Sequence, residues 1–172
     1  MRKIFFFLSL LLSMQALHAV EEKSKIEVTA KHLESTETTV KATDGVVVYY
    51  QDSVIKASSA FYDKKTNLLI LDGNVEMMGY QGTKEHIKHL EIQTESKEVT
   101  FDELFFVSEN DVWLFSDTAN RHEGNYTFGR SMLSSCDVND PLWKMVFSRS
   151  LYESEAKSVS YTHLTLPTIC SV

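Results

Sequence analysis

Two histidines with carboxylates beside them are the first residues in this sequence whose types could bind a metal ion. His86 and His89 lie three positions apart in the segment EHIKH, between Glu85 and Glu91. On a helix this spacing would allow both imidazoles to reach one zinc ion. On a strand the same spacing points them to opposite faces. Because the flanking segments favour strands, we predict surface histidines and no metal site.

Other residues that could carry catalysis lack the surroundings that the chemistry needs. The sequence contains no GxSxG, HExxH or CxxC motif and no glycine-rich phosphate loop, so neither a hydrolase nucleophile nor a nucleotide site is indicated. Asp102 and Glu103 are adjacent carboxylates, but glycoside hydrolysis needs its carboxylates on one face of a cleft. Neighbours on a strand point to opposite faces. We therefore predict no enzymatic activity, no catalytic residues and no cofactor.

Aromatic residues could instead stack against sugar rings. The candidates for such a platform are Tyr49-Tyr50, Phe105-Phe106 and Trp113. Packing in a core is the simpler explanation, since aromatic side chains bury large apolar areas. The sequence leaves both interpretations open.

The N-terminus has the layout of a secretory signal peptide. Arg2 and Lys3 precede an apolar run over residues 4–12, and small residues follow up to Ala19. The run is too short for a membrane span, which needs about 20 apolar residues. We predict a signal peptide over residues 1–19 and export from the cytoplasm, with an uncleaved anchor as the alternative.

The overall charge argues against one class of partner. The chain of 172 residues has 17 Lys+Arg against 24 Asp+Glu, a formal net charge of −7. Most nucleic-acid binding is supplied by lysine and arginine side chains that neutralise phosphates. We therefore predict no nucleic-acid partner. The length is sufficient for one domain with its own core.

The middle of the chain, from Lys25 to about Phe128, consists of short segments typical of β-strands. Apolar residues there fall on alternate positions, and β-branched and aromatic residues are frequent. Turn signals such as TDG, DKKTN, LDGN and SEND accompany these segments. The predicted strands include VVVYY (46–50), NLLILDGNVEMM (67–78), KEVTFDELFFV (97–107) and DVWLF (111–115). We also predict that TKEHIKHLEI (83–92) is a charged, exposed strand, with a helix as the alternative.

These segments repeat. The run that begins VTAKHLES aligns with the run that begins IKASSAF, so that Ala30 matches Ala57 and Asp44-Gly45 matches Asp72-Gly73. One residue is inserted between these points, which a β-bulge would accommodate. A degenerate third copy has Asp102-Glu103 in place of Asp-Gly. Units of this size cannot bury their own apolar face, so the copies must stack.

Stacked units of this kind predict an all-β, jellyroll-like domain, an elongated, folded-over antiparallel sheet with an apolar interior. Alternation about the Asp-Gly pairs predicts which side chains face inward. The predicted inward set is Val47, Tyr49, Ile55, Ala57, Leu69, Leu71, Val75, Met77, Val99, Phe101 and Phe105. Ile70, Asp72, Asn74 and Glu76 are predicted to face outward. By itself the alternation favours a plain core over a ligand channel.

Two segments resemble a known family. IKASSAFYDKKTNLLILDGNVEM is similar to the repeat of the OstA-like domains of lipopolysaccharide-transport proteins, with its apolar-x-Ala start, its YD…T turn and its LxLxGNV end. FGRSMLSSCDVNDPLWKM resembles the segment that closes this domain in the LptD family of outer-membrane lipopolysaccharide-assembly proteins, where a Ser-Cys step and a Trp lead towards a β-barrel. Ser135-Cys136 and Trp143 match. The resemblance covers residues 26–157.

The resemblance implies a function as well as an OstA-like β-jellyroll. It implies a periplasmic domain of an outer-membrane protein in a Gram-negative bacterium. Such a domain binds the acyl chains of lipopolysaccharide in its apolar groove, here the predicted inward set, and passes them to its own barrel. The implied partners are lipopolysaccharide, an LptA-like bridge protein that joins by strand addition at a sheet edge, and an LptE-like lipoprotein that accompanies the barrel.

Other functions with the same fold remain open at this point. A soluble periplasmic bridge protein of the LptA type would have the same ligand and no barrel. A structural β-solenoid would have a solid interior and no ligand.

The resemblance also implies a partner for Cys136. In the LptD family the cysteines of this domain form disulfides with cysteines of the barrel, so Cys136 would pair outside this sequence. A second cysteine near the mature N-terminus, which some members carry, has no counterpart here. A buried free thiol is the alternative.

The last residues differ in composition from the rest. Residues 158–172 contain no Asp, Glu, Lys or Arg, although the preceding segment is densely charged. SYTHLTLPT resembles translated sequencing-adapter read-through. We therefore expect a native domain over residues 20–157 and a non-native tail that includes Cys170, from which we infer neither structure nor a disulfide, with a native threonine-rich terminal strand as the alternative.

Overall fold

The computed structural model describes residues 26–78, 84–108, 110–153, 156 and 158–165, which contain one antiparallel, 12-stranded β-sheet. The predicted all-β fold is confirmed. The predicted signal peptide and Cys170 lie outside the described residues, and none of the described segments contains an apolar helix of membrane-spanning length. The strands are β1 Ile26–Thr29, β2 His32–Ser35, β3 Thr39–Tyr50, β4 Ser53–Asp63, β5 Leu68–Met78, β6 Lys84–Gln93, β7 Glu98–Val107, β8 Trp113–His122, β9 Asn125–Phe128, β10 Ser131–Ser134, β11 Met145–Glu153 and β12 Ser158–Thr165.

Strands that follow each other in the chain are mostly neighbours in the sheet. The order is β1-β3-β4-β5-β6-β7-β8-β10-β11-β12. In addition, β2 pairs with β3, and β9 pairs with both β8 and β11. The short strands β1 and β2 therefore lie along the same side of β3 and form one edge of the sheet, and β12 forms the other edge.

Successive units are joined by turns of similar chemistry. After β4, Asp63 Oδ1 accepts a hydrogen bond from the Lys65 amide at 2.8 Å, and Asn67 closes the turn with a φ of 55°. After β6, Lys97 closes the next turn with a φ of 60°. Asparagine adopts the left-handed conformation at lower cost than most residues. The Thr94 amide donates to the Asn67 carbonyl at 2.9 Å, which ties the two turns together.

β-Bulges lie at the repeated Asp-Gly positions. The pairing register shifts at Asp44-Gly45 in β3 and at Gly73-Asn74 in β5, and all four residues have positive φ. In the third copy Glu103 has a φ of 51°. Glycine, asparagine and aspartate tolerate this conformation. The Asp-Gly pairs, predicted as turn signals, therefore lie inside long strands, which they bend.

The bends divide the sheet into two walls that pack against each other. The first wall contains residues 39–43, 59–63, 68–72, 89–93 and 98–102, continued by the second half of β8, β9 and the second half of β11. The second wall contains residues 46–50, 53–57, 75–78, 84–87 and 104–107, continued by the first half of β8, β10 and the first half of β11. Their inner faces form one hydrophobic core. The folded-over sheet that the repeat predicts is the observed architecture.

The predicted strand at residues 83–92 is confirmed as β6, but its description as exposed is wrong for one face. Ile87, Leu90 and Ile92 are buried in the core. Two successive residues, Lys88 and His89, point outward between Ile87 and Leu90 because the strand bends there. His86 and His89 therefore lie on the same outer face, and the predicted opposite orientation is wrong.

The C-terminal segment contributes the last strand of the sheet. Residues Ser158–Thr165, whose sequence supports no inference about structure, form β12 and pair with β11. Backbone hydrogen bonds make this pairing possible for almost any sequence, which explains why the unusual composition does not prevent it. Most side chains of β12 are exposed, and Tyr161 packs against Phe147 with ring centroids 5.3 Å apart. That the tail is non-native stays a prediction.

Candidate functional site

One row of side chains runs along the inside of the second wall. Residues directly opposite in antiparallel strands point to the same side of the sheet, so the pairing register identifies the row. We name it the Met77 row. Its members are Val28, Val48, Ile55, Met77, Glu85, Phe106, Leu114, Leu133 and Met145. All of them are apolar except Glu85.

A second row runs along the inside of the first wall, and we name it the Leu69 row. Its members are Val40, Tyr62, Leu69, Ile92, Val99, Arg121, Tyr126, Tyr152 and Val159. Arg121 is the only charged member. Each wall therefore has an inner row that is apolar apart from one charged residue.

The two rows differ along their length in how tightly they are enclosed. Ile55 and Met77 in one row, and Leu69 in the other, are at most 1% exposed. Towards β8 and β11 the members become only half-buried, as Leu114 and Tyr152 show. The rows are thus sealed in their middle, whereas their ends are half-buried, at Val28 and Val40 in the N-terminal strands and over a longer stretch towards the C-terminal strands.

The charged members of the two rows meet across the interior. The Tyr126 hydroxyl donates to Glu85 Oε1 at 3.4 Å, and Arg121 Nη1 donates to the Tyr126 oxygen at 3.3 Å. The Arg121 guanidinium also lies over the rings of Phe101 and Tyr126, 5.9 Å and 5.8 Å from their centroids. Tyr126 therefore bridges a carboxyl group of the second wall and a guanidinium of the first. We name Glu85, Tyr126 and Arg121 the polar bridge.

Glu85 is incompletely satisfied. Glu85 is only 8% exposed, and its Oε2 atom has no hydrogen-bond partner in the described part of the structure. A buried acceptor without a partner costs about 1–3 kcal/mol of stability. Burial raises the pKa of Glu85, an effect that the Arg121 charge and the Tyr126 hydrogen bond oppose. The pKa of Tyr126 is raised, mainly by burial and to a smaller extent by the nearby charge of Glu85.

Most of the predicted inward set does lie in the interior. The buried members are Ile55, Ala57, Leu69, Leu71, Val75, Met77, Val99 and Phe101. Ile55 and Met77 are cross-strand neighbours in the Met77 row. Leu69 and Val99 belong to the Leu69 row. Their burial establishes their position, and their role in lipid binding stays a prediction.

Two predicted inward residues of β3 point outward. Tyr49 is 47% exposed and Val47 is half-buried, whereas Val46, Val48 and Tyr50 are at most 1% exposed. The bulge explains the error. The two bulged residues are Asp44-Gly45 in β3 but Gly73-Asn74 in β5. A residue at a given distance after Asp-Gly therefore points to opposite faces of the sheet in the two units.

Phe105 is the third predicted inward residue that faces outward. Three exposed residues separate the inward Leu71 from Val75 in β5, but only Asp102 and Glu103 separate Phe101 from Leu104 in β7. The bend in the third unit is one residue shorter, and Leu104 and Phe106 point inward instead. The Phe105 ring packs outside against Trp113, with centroids 6.3 Å apart.

No pattern in the sequence predicts the polar bridge. Glu85 lies in a segment rich in charged residues, and Arg121 and Tyr126 are in strands of the opposite wall. The available signal was the alternation in β6, which places Glu85 on the same face as Ile87. Contact across the interior has no local signal in a sequence.

Comparison with known proteins finds similarity to solved structures alone. No model of a protein family and no curated protein matches the chain. Among solved structures the chain is similar to LptH from Pseudomonas aeruginosa, described as the LptA homologous periplasmic component of the conserved lipopolysaccharide transport device. The match has a TM-score of 0.42 and 11% sequence identity, and it covers 84% of this chain and 95% of that chain. At these values the similarity assigns no function.

The outer face carries polar groups, but within the part of the chain that the structure describes they form no cluster of metal ligands. His89 bonds Asp72 Oδ1 at 2.5 Å and Glu91 Oε1 at 3.2 Å, and these contacts raise its pKa above the ordinary value of 6.5. Asp102 and Glu103 are both exposed at the bend, so their predicted opposite orientation is wrong. Over the described residues, no three or more His, Cys, Asp or Glu side chains are arranged to hold a metal ion.

The Ser-Cys…Trp segment forms a pinned loop between β10 and β11. Trp113 Nε1 donates to the Cys136 carbonyl at 2.8 Å. The Cys136 amide donates to Ser134 Oγ at 3.0 Å, and that hydroxyl donates to the Trp143 carbonyl at 2.6 Å. Cys136 is a half-buried free thiol held in this loop. Its pairing with a cysteine of a barrel stays a prediction.

The position of Glu85 predicts an effect of pH on stability. Because its pKa in the folded state lies above the ordinary 4.5, the folded state binds its proton more tightly, and stability falls as pH rises above 4.5 until the folded-state pKa is passed. In Glu85→Gln this contribution is absent. The free energy of unfolding, measured with urea at about pH 5 and about pH 8, should therefore fall less in the variant than in the parent protein.

The comparison between the two proteins isolates Glu85 from other titrating groups. His89 also has a raised pKa and also loses its stabilising contribution as pH rises through the folded-state value. It is present in both proteins, so its effect cancels in the difference. Equal pH dependence in parent and variant would show that the Glu85 carboxyl is not buried as described.

Proposed function

We propose that this protein binds lipopolysaccharide and carries it through the periplasm, with the acyl chains between the two walls and the sugars outside. The observation that supports the proposal is the pair of apolar rows, which face each other and run from the first strands of the sheet to the last. Each buried methylene of an acyl chain contributes about 0.8 kcal/mol. A long apolar interior with walls on two sides suits several chains better than a compact pocket would.

Access is proposed from the side of β8 to β11. There the row members Leu114, Leu133 and Tyr152 are half-buried, whereas Ile55 and Leu69 are sealed. Acyl chains that enter on this side contact the accessible apolar side chains first. To travel further they must separate the walls, whose closed packing around Ile55, Met77 and Leu69 is the resting state in this proposal.

The two sheet edges are proposed as docking positions for similarly folded partners. Within the described sheet, β12 pairs with β11 alone, and β1 and β2 pair with β3 alone. Unpaired edge strands accept a further strand by backbone hydrogen bonding. Addition of an LptA-like bridge protein would extend the apolar rows from one domain into the next without a break.

The more specific proposal is that residues 20–157 are the periplasmic domain of an LptD-like outer-membrane protein. It is supported by the match at Ser135-Cys136 and Trp143, and by the loop that holds the Cys136 thiol at the surface of the domain. A soluble LptA-type protein agrees equally well with the fold. In that case Cys136 would stay a free thiol.

Site-specific photo-crosslinking tests the binding proposal. A photo-reactive amino acid at the inward Leu114 should crosslink to lipopolysaccharide, and the same residue at its neighbour Phe115 should not, because adjacent strand positions face opposite sides. Both side chains are half-buried, which makes them a matched pair. Met77 and Glu76 form a second pair in the sealed part of the interior, where crosslinks should be weaker.

The outcome that contradicts the proposal is equally specific. Crosslinks confined to outward positions such as Phe115, Glu76 and Ile70 would place the lipid on the outer face. Purified protein that shows no saturable binding of lipopolysaccharide would favour a structural β-solenoid with a solid core.

A further inference from the structure

Within the described residues, each inner row contains a single charged side chain. Glu85 is the charged member of the Met77 row, and Arg121 is the charged member of the Leu69 row. The Tyr126 hydroxyl connects them across the interior. If the interior were only a core, apolar side chains in these positions would pack with no unsatisfied group.

The hydrogen bonds within the polar bridge leave one position unused. Glu85 Oε1 accepts from Tyr126, but Oε2 has no partner in the described part of the structure. Arg121 has one bond to the Tyr126 oxygen, and its remaining guanidinium N–H groups are further donors close by. The site can therefore accept one hydrogen bond and donate another. A hydroxyl group is complementary to both.

The polar bridge also lies on the path that we propose for an entering acyl chain. Its neighbours in the Met77 row are the sealed Met77 on one side and the half-buried Phe106 on the other. The bridge thus marks the boundary between the sealed and the accessible parts of the interior. An acyl chain that enters from the C-terminal strands along the Met77 row contacts Met145, Leu133, Leu114 and Phe106 before it reaches Glu85.

We propose that the polar bridge binds a hydroxyl group carried on an acyl chain, which makes the interior selective for hydroxylated lipids. The hydroxyl donates to Glu85 Oε2 and accepts from the Arg121 guanidinium, while the chain on either side packs against the two rows. This inference rests on the proposed lipid-binding function and adds to it a determinant of chain specificity.

Two probes of equal length test it. Tetradecanoic acid and 3-hydroxytetradecanoic acid differ only in one hydroxyl, and their binding to the purified full chain is measured by isothermal titration calorimetry. We expect the parent protein to bind the hydroxylated probe about threefold to tenfold more tightly, as one satisfied hydrogen bond predicts. In Glu85→Leu the two affinities should agree within about twofold, because the acceptor is replaced by an apolar side chain.

Two further variants complete the design. Glu76→Leu makes the same change on the neighbouring strand at a half-buried outward position, and it should retain the preference. Tyr126→Phe keeps the ring and removes the hydroxyl that positions Glu85, and it should weaken the preference even if Glu85→Leu fails to fold.

The outcomes separate the inference from the function on which it rests. A parent protein that binds both acids equally overturns the selectivity and leaves the lipid-binding proposal in place. A parent protein that binds neither acid nor lipopolysaccharide overturns both. A preference that persists in Glu85→Leu and Tyr126→Phe overturns the assignment to the polar bridge.

Discussion

Replacing Phe101 with alanine is expected to lower the free energy of unfolding by about 3–5 kcal/mol, the range for a large aromatic side chain removed from a core. The ring is 0% exposed and packs against Tyr126 with centroids 6.1 Å apart. Its cross-strand neighbours are Leu90 and Ala119. Ala119 is too small to fill the cavity, so little relaxation is expected. Urea unfolding followed by circular dichroism measures the change.

Phe105→Ala is the matched control, because it removes the same ring from the same strand on the other face. Phe105 is half-buried and packs only against the outer surface, so we expect a loss of about 1–2 kcal/mol, in proportion to the smaller area buried. A larger loss at Phe105 than at Phe101 would contradict the inward register that the structure assigns to β7.

These two phenylalanines also show how far the sequence alone could predict the interior. The strands and their folding over one another follow from alternation, turn chemistry and the repeated Asp-Gly pairs. Within one unit the alternation also places Leu69, Leu71 and Phe101 correctly. All of these are local properties, since each depends on residues a few positions apart.

The predicted side-chain orientations become wrong when the alternation is continued past a bend in a strand. The number of outward residues at the bend is three in β3 and β5 and two in β7, and each change of one residue reverses every later side chain in the strand. Phe105 points outward for this reason, whereas Val47 and Tyr49 do so because Asp44-Gly45 occupies a later place within the bend of β3 than Asp72-Gly73 does in β5. The number of outward residues at a bend depends on how the neighbouring strands pair with it, so the local sequence does not predict that number.

The polar bridge was beyond prediction for a different reason. A glutamate in a lysine- and histidine-rich segment is ordinarily solvated, and nothing near Glu85 indicates a partner. Tyr126 is 41 positions away and reaches it only because the two walls close on each other. Both the apolar rows and the polar bridge thus depend on the bends. The third unit, with Asp102-Glu103 at its bend, shows that a bend can form without glycine.

The bend in β5 leaves no room for a side chain at Gly73, and Gly73→Ala is expected to destabilise the protein by about 2–4 kcal/mol, from left-handed backbone strain and overpacking together. Gly73 has a φ of 79°, and a Cβ atom there would lie 2.7 Å from Ser58 Oγ and 2.8 Å from Ser58 Cβ. The Ser58 hydroxyl cannot withdraw freely, since it donates to the Gly73 carbonyl at 2.9 Å. Chemical denaturation of the purified variant measures the loss.

Gly45→Ala separates the two causes, because Gly45 has a similar φ of 68° but no atom within 4 Å of the added Cβ. It should therefore lose only the strain component of about 1–2 kcal/mol. Adding Ser58→Gly to Gly73→Ala removes the atoms that clash and should recover part of the stability, which a double-mutant cycle quantifies. Equal losses at Gly45 and Gly73, or no recovery with Ser58→Gly, would mean that close packing across the β4–β5 bend does not hold the two walls in place.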